Sequence, residues 1–147
     1  MTKVCVFDID GTIANIEHRR GYVASRPKNW AAFQAGIPND TPYEDIVWLL
    51  NAVAAQPDVR VILCSARSED DRAVTETWLR DHNIGYRQLY MRASQDYRRD
   101  SVVKIELLQQ IQADHGAPWL WIDDRNQVVD AIRSQGVRVL QVAPGDF

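Results

Sequence analysis

Short apolar runs alternate along this chain with longer segments in which apolar residues recur at helical spacing. Runs of this length that are rich in Val, Ile and Leu are typical of buried strands. Alternation of such runs with helical patterns predicts an α/β fold, a parallel sheet with helices on both faces. The predicted strands are Lys3–Phe7, Arg60–Cys64, Tyr86–Met91, Leu120–Ile122 and Arg138–Val142.

The helical segments have recognisable starts, because small polar residues precede each apolar stripe. In the first of them a proline follows the cap residue and a glutamate lies three positions after it, which is a favourable beginning for a helix. The last helix should stop at a glycine. We predict helices that begin at the caps Thr41, Ser68, and Asp100 or Ser101, and a fourth that follows Asp124 and ends near Gly136.

Residues 13–40 do not fit a simple connection between a strand and a helix, because the segment is too long. It contains four basic and two acidic side chains, together with Trp30 and Phe33. We predict a small cap insertion over the carboxyl end of the first strand, within a single domain that spans 1–147. Trp30 and Phe33 are expected to form the core of this cap, and a base-stacking platform is the alternative.

The composition is that of an ordinary globular protein, with 46% hydrophobic and 25% charged residues. No apolar run approaches the roughly 20 residues that a membrane span requires, and the first residues lead directly into a strand, so no signal peptide is expected. Cys5 and Cys64 lie in apolar runs and should be buried thiols, which suggests a reducing, cytoplasmic location.

The net charge of −3 argues against a broad nucleic-acid interface but permits local basic patches. Two segments are locally basic. Residues 15–40 carry four basic and two acidic side chains, and residues 86–104 carry five basic and two acidic ones. Because exposed basic residues are common on any surface, these counts do not decide the substrate.

The most informative motif is Asp8-Ile9-Asp10-Gly11-Thr12, directly after the first apolar run. Gly11 permits a sharp turn there, which predicts an exposed carboxylate pair at the carboxyl end of a buried strand. Ligands bind at this edge in open α/β sheets. A calcium loop is a poor alternative, because the residues that follow supply few further oxygen ligands.

Three further groups follow other predicted strands and should meet the carboxylate pair at the same edge of the sheet. Ser65 follows the second strand, Lys104 lies near the start of the third helix, and Asp123-Asp124 follows the fourth strand. Each of these groups alone has an ordinary structural explanation, such as a strand end, an exposed lysine or a helix cap. Their occurrence together at successive strand ends indicates a catalytic site.

The chemistry expected of this site follows from its charge. Several carboxylates in one place repel one another unless a cation is present, and Mg²⁺ is held by few protein oxygens, retains waters and pairs with phosphate. A carboxylate near a bound phosphate can attack it to form an aspartyl-phosphate. A second carboxylate can protonate the leaving oxygen.

In their order along the chain, Asp8-x-Asp10-Gly11-Thr12, Ser65, Lys104 and Asp123-Asp124 resemble the four motifs of the haloacid dehalogenase (HAD) superfamily of phosphatases. A closer resemblance is to the 3′-phosphatase domain of phage polynucleotide kinase. It is carried by residues 99–104, 122–129 and 141–147 and is weak over 15–41. The resemblance implies a Rossmann-like fold with a central parallel sheet of about five strands.

The resemblance also implies roles for individual residues. Asp8 would be the nucleophile and Asp10 the general acid and base. Mg²⁺ would be held by Asp8, the backbone carbonyl of Asp10 and Asp123, with Asp124 in support. Phosphate would be bound by Ser65 and Lys104. Arg19 and Arg67, which match arginines that are important in that domain, are further candidates for binding the substrate and its phosphates.

Two departures from the family pattern accompany the resemblance. Ala66 stands where the family usually has glycine, so the backbone after Ser65 should be less free. The chain contains no G-x-x-x-x-G-K-[ST] loop, so no kinase half is expected within it.

The leading hypothesis is therefore an Mg²⁺-dependent phosphatase that removes 3′-phosphates from nucleic-acid ends or nucleotides, with a separate kinase or ligase as a partner. The first alternative is a phosphatase for 5′-nucleotides or other small phosphate esters. The second is a non-catalytic module that binds phosphorylated ends or a partner protein, although a binder has no need of Asp10.

Overall fold

Each of the five predicted strands is present in the computed structural model, which describes all 147 residues. The strands are β1 (Lys3–Phe7), β2 (Ala14–Asn15), β3 (Thr41–Pro42), β4 (Val59–Ser68), β5 (Gln88–Arg92), β6 (Leu120–Asp123) and β7 (Val139–Gln141). The helices are α1 (Glu17–Ala24), α2 (Trp30–Ala35), α3 (Glu44–Ala54), α4 (Arg72–Asp81), α5 (Asp100–His115) and α6 (Asn126–Ser134). Short 3₁₀ helices span Ile37–Asn39 and Glu69–Asp71.

The main sheet has the order β5-β4-β1-β6-β7, and every neighbouring pair is parallel. Successive side chains of a strand point to opposite faces of the sheet. Val4 and Val6 therefore pack into one apolar core with residues of α5 and α6, whereas Cys5 and Phe7 pack into a second core with residues of α3 and α4. This arrangement confirms the predicted α/β fold. No helix combines the length and the apolar character that crossing a bilayer would demand.

Residues 13–40 follow the turn at the carboxyl end of β1, and part of the segment packs against the second core. The segment contains α1, α2 and the 3₁₀ helix Ile37–Asn39, and its two ends are joined where β2 pairs with β3 in antiparallel fashion. Phe33 is partly buried and packs against the second core of the domain, whereas Trp30 is 52% exposed and meets Phe33 edge-on. The expectation that Trp30 is a core residue was therefore wrong.

Two of the predicted helix starts were also wrong, and in each case a more distant interaction determines the local structure. Thr41 and Pro42 pair with β2, and α3 begins only at Glu44. Proline lacks an N–H group, so it fits this edge pairing as well as a helix start. Asp100 does not cap α5, because its carboxylate binds the guanidinium groups of Arg92 and Arg125.

The other predicted starts are close to the observed ones. Ser68 accepts a hydrogen bond from the backbone N–H of Asp70, but the turn that it caps is the 3₁₀ helix, and α4 follows at Arg72. The helix after Asp124 begins at Asn126, and Gly136 adopts a positive φ of 82° just beyond its end. Cys5 and Cys64 are buried and free, as predicted.

Candidate active site

The register of the sheet brings the predicted site residues to one edge. Phe7 pairs with Leu63 of β4 on one side and with Ile122 of β6 on the other. The backbone N–H of Asp8 donates to the carbonyl of Ile122 at 2.9 Å, so Asp8 lies beside Asp123. Ser65, two residues past Leu63, lies at the same edge. Three motifs that are far apart in sequence are thus neighbours in the structure.

Lys104 joins the first and last of these motifs. Its Nζ donates to Asp8 Oδ1 at 2.8 Å and to Asp123 Oδ2 at 2.9 Å. Although burial acts to lower the pKa of Lys104, the carboxylates of Asp123 and Asp8 raise it well above its usual value, so the group is a cation. Asp8 itself is buried, with 6% exposure, so the prediction of an exposed carboxylate pair was wrong for this member.

Two further side chains fix the carboxylates of this cluster. Thr12 donates its hydroxyl to Asp8 Oδ2 at 3.0 Å, and Trp121 donates its indole N–H to Asp123 Oδ2 at 3.1 Å. Both side chains are buried. Because a buried donor holds its acceptor in one geometry, Asp8 and Asp123 are preorganised. Thr12 belongs to the first motif, whereas no local sequence pattern indicates the contact that Trp121 makes with Asp123.

Asp124 completes a group of three buried carboxylates. Oxygen atoms of Asp8, Asp123 and Asp124 all lie within 4.8 Å of one another. Burial, followed by repulsion from Asp123, raises the pKa of Asp8 well above its usual value and that of Asp124 to about 6. One lysine cation thus faces three carboxyl groups, so the cluster has an excess of negative charge whenever all three are ionised.

This donor set fits a hard divalent cation. Carboxylate oxygens are the ligands that Mg²⁺ prefers, and a charge of +2 would balance the carboxylates that Lys104 leaves uncompensated. The carboxylate of Asp10 lies outside the cluster, which is compatible with the expectation that Asp10 would contribute only its backbone carbonyl.

Metal binding at this cluster should depend on pH. A carboxyl whose pKa is raised in the folded protein stabilises the fold while it is protonated, and this contribution is lost as pH rises through the folded pKa. For Asp124 this stabilising contribution is lost as the pH rises from the usual pKa of 3.8 to the raised pKa of about 6. We therefore expect Mg²⁺ to raise the melting temperature more at about pH 7.5 than at about pH 5, because protons compete with the cation below the raised pKa. Equal Mg²⁺ shifts at both pH values would contradict the assignment.

Position 11 requires a glycine, because the backbone turns there close to the Asp124 side chain. Its φ is +78°, and a Cβ built there would lie 2.7 Å from Asp124 Cγ. We expect Gly11→Ala to displace the Asp124 carboxylate and to raise the Mg²⁺ concentration that gives half-maximal activity. Gly136→Ala is the matched control, because Gly136 has a φ of +82° and open space around its Cβ position. Both variants should lose roughly 1–2 kcal/mol of stability from backbone strain, but only Gly11→Ala should change the Mg²⁺ requirement.

Asp10 is held by a second set of contacts, away from the three carboxylates. Its Oδ1 accepts from Arg67 Nε at 3.0 Å and Nη2 at 2.5 Å, and from Arg19 Nη2 at 3.2 Å. Burial acts to raise the pKa of Asp10, but the charges of Arg67 and Arg19 lower it overall. The side chain keeps 26% exposure, so a ligand can reach it.

Arg19 and Arg67, the further candidates for substrate binding, are both engaged with carboxylates. Both are buried, with exposures of 1% and 8%. Their donors are directed to Asp10 and to Asp40, a buried carboxylate at the end of the 13–40 segment. The sequence analysis missed Asp40, because its partners lie 21 and 27 positions away and no local pattern connects them.

Ser65 and Ala66 occupy the end of β4. The Ser65 hydroxyl oxygen accepts from the backbone N–H of Arg67 at 3.1 Å, which leaves the hydroxyl proton free to be donated elsewhere. Ala66 is not among the residues with positive φ, so the absence of a glycine causes no backbone strain there.

The C-terminal residues pack beside the site. Arg125 Nε donates to the carbonyl of Phe147 at 2.7 Å. The guanidinium carbons of Arg20 and Arg125 lie 4.2 and 5.1 Å from the centre of the Phe147 ring. Because Arg20 belongs to α1 and Arg125 follows Asp124, the terminus connects the 13–40 segment to the edge of the sheet.

Comparison with known proteins identifies the family. The phosphatase domain of polynucleotide kinase PNKP, as a family, matches this chain over residues 2–147. The chain belongs to this family. The match confirms the resemblance that the motifs suggested and makes the chain a phosphatase of the HAD superfamily.

Two solved structures are the most informative relatives. One is described as the Pnkp1/Rnl/Hen1 complex and the other as the Pnkp1/Rnl/Hen1 RNA repair complex; they are 33% and 30% identical to this chain, with TM-scores of 0.82 and 0.84. Each match covers 100% of this chain, but only 48% of the first relative's chain and 44% of the second's. This chain therefore spans about half the length of these relatives.

More distant structures share the fold. The L-2-haloacid dehalogenase from Xanthobacter autotrophicus is 12% identical, with a TM-score of 0.69, and the match covers 97% of this chain and 78% of that one. At this identity the likeness concerns the architecture alone. It supports the Rossmann-like HAD fold that the motifs implied.

Proposed function

We propose that this protein is an Mg²⁺-dependent phosphomonoesterase that acts through an aspartyl-phosphate and removes 3′-phosphates from nucleic-acid ends or nucleotides. One observation carries the proposal. In a chain of the polynucleotide kinase phosphatase family, a buried Asp8–Lys104–Asp123 cluster lies beside a separate acid, Asp10, held by two arginines.

In the first step an oxygen of Asp8 attacks phosphorus, a new oxygen–phosphorus bond forms, and the bond from phosphorus to the leaving oxygen breaks. Asp10 gives its proton to the leaving oxygen, which departs as an alcohol. The arginines favour ionised Asp10 in the free protein. The negative charge of a bound phosphate raises the pKa of a neighbouring carboxyl, so substrate binding favours the protonated form that this step needs.

In the second step water attacks the phosphorus of the aspartyl-phosphate. Asp10, now ionised, accepts a proton from that water, the Asp8–phosphorus bond breaks, and inorganic phosphate leaves. Asp8 is restored as a carboxylate and Asp10 as an acid. One side chain thus acts as acid and then as base, which requires that it stay aligned through both steps.

We propose that Lys104 and the Ser65 hydroxyl bind phosphate oxygens, and that Asp8, Asp123 and the Asp10 carbonyl hold Mg²⁺ with support from Asp124. When bound, the cation supplies positive charge that offsets repulsion between the phosphate and the carboxylates. Arg19 and Arg67 act on the reaction through Asp10, since their donors are already directed to that carboxylate and to Asp40.

The preference for a 3′-phosphate rests on the resemblance of the motifs to the 3′-phosphatase domain of polynucleotide kinase. Removal of a 3′-phosphate leaves a 3′-hydroxyl, which is the group that a strand-joining enzyme requires. We therefore propose that a separate ligase or kinase works on the same ends. The description of one structural relative as an RNA repair complex supports this proposal.

The test is a matched substrate panel with Mg²⁺. We expect a 3′-phosphorylated oligonucleotide to be turned over with a kcat/KM at least about tenfold higher than the same oligonucleotide with a 5′-phosphate. p-Nitrophenyl phosphate should be hydrolysed as a generic ester. The Asp8→Asn variant, purified in parallel, measures contaminating phosphatase.

Three outcomes would contradict the proposal at different levels. A preference for free 5′-mononucleotides would favour the small-molecule phosphatase. Binding of 3′-phosphorylated ends with no turnover of any ester would favour the non-catalytic module. Full activity after exhaustive chelation would exclude the role of Mg²⁺.

A further inference from the structure

The carboxylate of Asp40 is the most deeply buried charge near the site, with a side chain that is 0% exposed. Its Oδ1 accepts from Arg19 Nε at 2.7 Å and contacts His18 Nε2 at 2.7 Å. Its Oδ2 accepts from Arg19 Nη2 at 2.8 Å and from Arg67 Nη2 at 3.1 Å. Both oxygens are therefore fully occupied by cationic or imidazole donors, which leaves none for a ligand.

Asp40 is also fixed in the backbone. Its carbonyl accepts from the indole N–H of Trp78 at 2.8 Å, and Trp78 belongs to α4 and is 2% exposed. Asp40 is therefore held by its backbone as well as by its side chain. The 13–40 segment ends at this residue, so the hydrogen bond from Trp78 attaches the last residue of the segment to α4 through its backbone.

The same two arginines contact Asp10. Arg67 Nη2 lies within hydrogen-bond distance of both Asp40 Oδ2 and Asp10 Oδ1, and Arg19 Nη2 bridges the same pair of carboxylates. Two cations and two carboxylates thus form one neutral, mostly buried cluster. A buried charge needs a partner, so each guanidinium is held between Asp10 and Asp40 rather than drawn to one of them.

We infer that Asp40 is a positioning residue that aligns Asp10 with the leaving group through Arg19 and Arg67. Without the charge of Asp40, both guanidinium groups would keep Asp10 as the carboxylate to which they are hydrogen-bonded, and they would pull it away from the leaving oxygen. The inference rests on the role of Asp10 in the proposed function. If Asp40 only fastens the 13–40 segment to α4, its substitution should instead lower kcat/KM equally for every phosphate ester.

The test compares kcat/KM for two esters, because kcat/KM reports the steps up to departure of the leaving group. A 3′-phosphorylated nucleoside has an alkoxide leaving group that must be protonated, whereas p-nitrophenolate leaves without help. We expect Asp40→Asn to lower kcat/KM for the nucleotide at least about tenfold more than for p-nitrophenyl phosphate, since general acid catalysis contributes about 10²–10⁴-fold. Asp58→Asn is the matched control, because Asp58 forms an ion pair with Lys3 at the opposite end of β1 and is 49% exposed on its side chain. Asp58→Asn should change kcat/KM for neither ester.

A double variant separates positioning from structure. In the Asp10→Asn background, Asp40→Asn should cause no further selective loss on the nucleotide, because the group that it aligns is already gone. Equal losses on both esters after Asp40→Asn, or an unchanged selective loss in the Asp10→Asn background, would overturn the inference. Equal losses after Asp10→Asn alone would instead contradict the role of Asp10 in the proposed function, and the inference with it.

If Asp40→Asn fails to fold, Asp40→Glu takes its place. Glutamate keeps the charge but moves it by one methylene, so the arginines are still paired but their geometry changes. Positioning then predicts a selective loss on the nucleotide in a folded protein, as judged by an unchanged unfolding transition. A folded Asp40→Glu protein in which kcat/KM for both esters changes by the same factor, relative to wild type, would overturn the inference.

Discussion

Asp8→Asn is expected to reduce turnover of every phosphate ester by at least about 10³-fold while leaving the protein folded. The amide has the size and shape of the carboxylate, and its oxygen still accepts from Lys104 Nζ, which lies 2.8 Å from Asp8 Oδ1. The amide nitrogen replaces the oxygen that accepts from Thr12, and the Thr12 hydroxyl can turn to accept from it instead. It lacks the negative oxygen that attacks phosphorus. Activity in Mg²⁺ measures the effect, and residual activity above that of a mock purification would exclude Asp8 as the nucleophile.

The stability of the same variant provides a second readout. Burial and repulsion from Asp123 raise the pKa of Asp8, so ionised Asp8 destabilises the fold in the absence of metal. Removal of that charge should therefore leave the melting temperature of the metal-free protein at neutral pH unchanged or higher. Stabilisation by Mg²⁺ should decrease, because one ligand is lost. A large fall in the metal-free melting temperature would contradict this view of the cluster.

Lys104→Met is expected to have the largest effect on stability. Lys104 is 2% exposed and donates to both Asp8 and Asp123. Methionine preserves much of the side-chain volume but leaves two buried carboxylates without their cation. Breaking a buried ion pair on one side costs roughly 3–5 kcal/mol. We expect a lower melting temperature, loss of activity, and partial recovery of stability when Mg²⁺ is added.

Lys3→Met is the matched control for this change. Lys3 forms an ion pair with Asp58 at 2.9 Å, but both side chains are exposed, by 35% and 49%. Exposed pairs contribute roughly 0–1 kcal/mol, so this variant should retain its stability and activity. If Lys104→Met melted at the same temperature as Lys3→Met, Lys104 would not be the cation that holds the cluster together.

The sequence predicted the sheet because buried parallel strands are continuous apolar runs, and this pattern is local. The location of the candidate site could be predicted from the sheet, since parallel strands place their carboxyl ends at one edge. Asp8, Lys104 and Asp123 could therefore be brought together before any coordinates were known. The register that pairs Phe7 with both Leu63 and Ile122 agrees with that expectation.

Features that depend on distant partners could not be predicted in this way. The sequence neighbours of Asp100 predict a helix cap, but the Asp100 carboxylate binds Arg92 and Arg125 instead. Asp40 has no motif around it, and its role is determined by Arg19 and Arg67, which belong to α1 and β4. Trp30 seemed to be a core residue by its type alone, whereas its exposure depends on how α2 packs.

One measurement tests the central claim of an aspartyl-phosphate most directly. A 3′-phosphorylated oligonucleotide with a radioactive terminal phosphate is mixed with excess protein and Mg²⁺, quenched in acid within milliseconds, and the protein is digested and mapped. We predict transient label on the peptide that contains Asp8 and none in the Asp8→Asn variant. Direct appearance of label in inorganic phosphate, without any labelled protein at the earliest times, or label on another residue, would contradict the account.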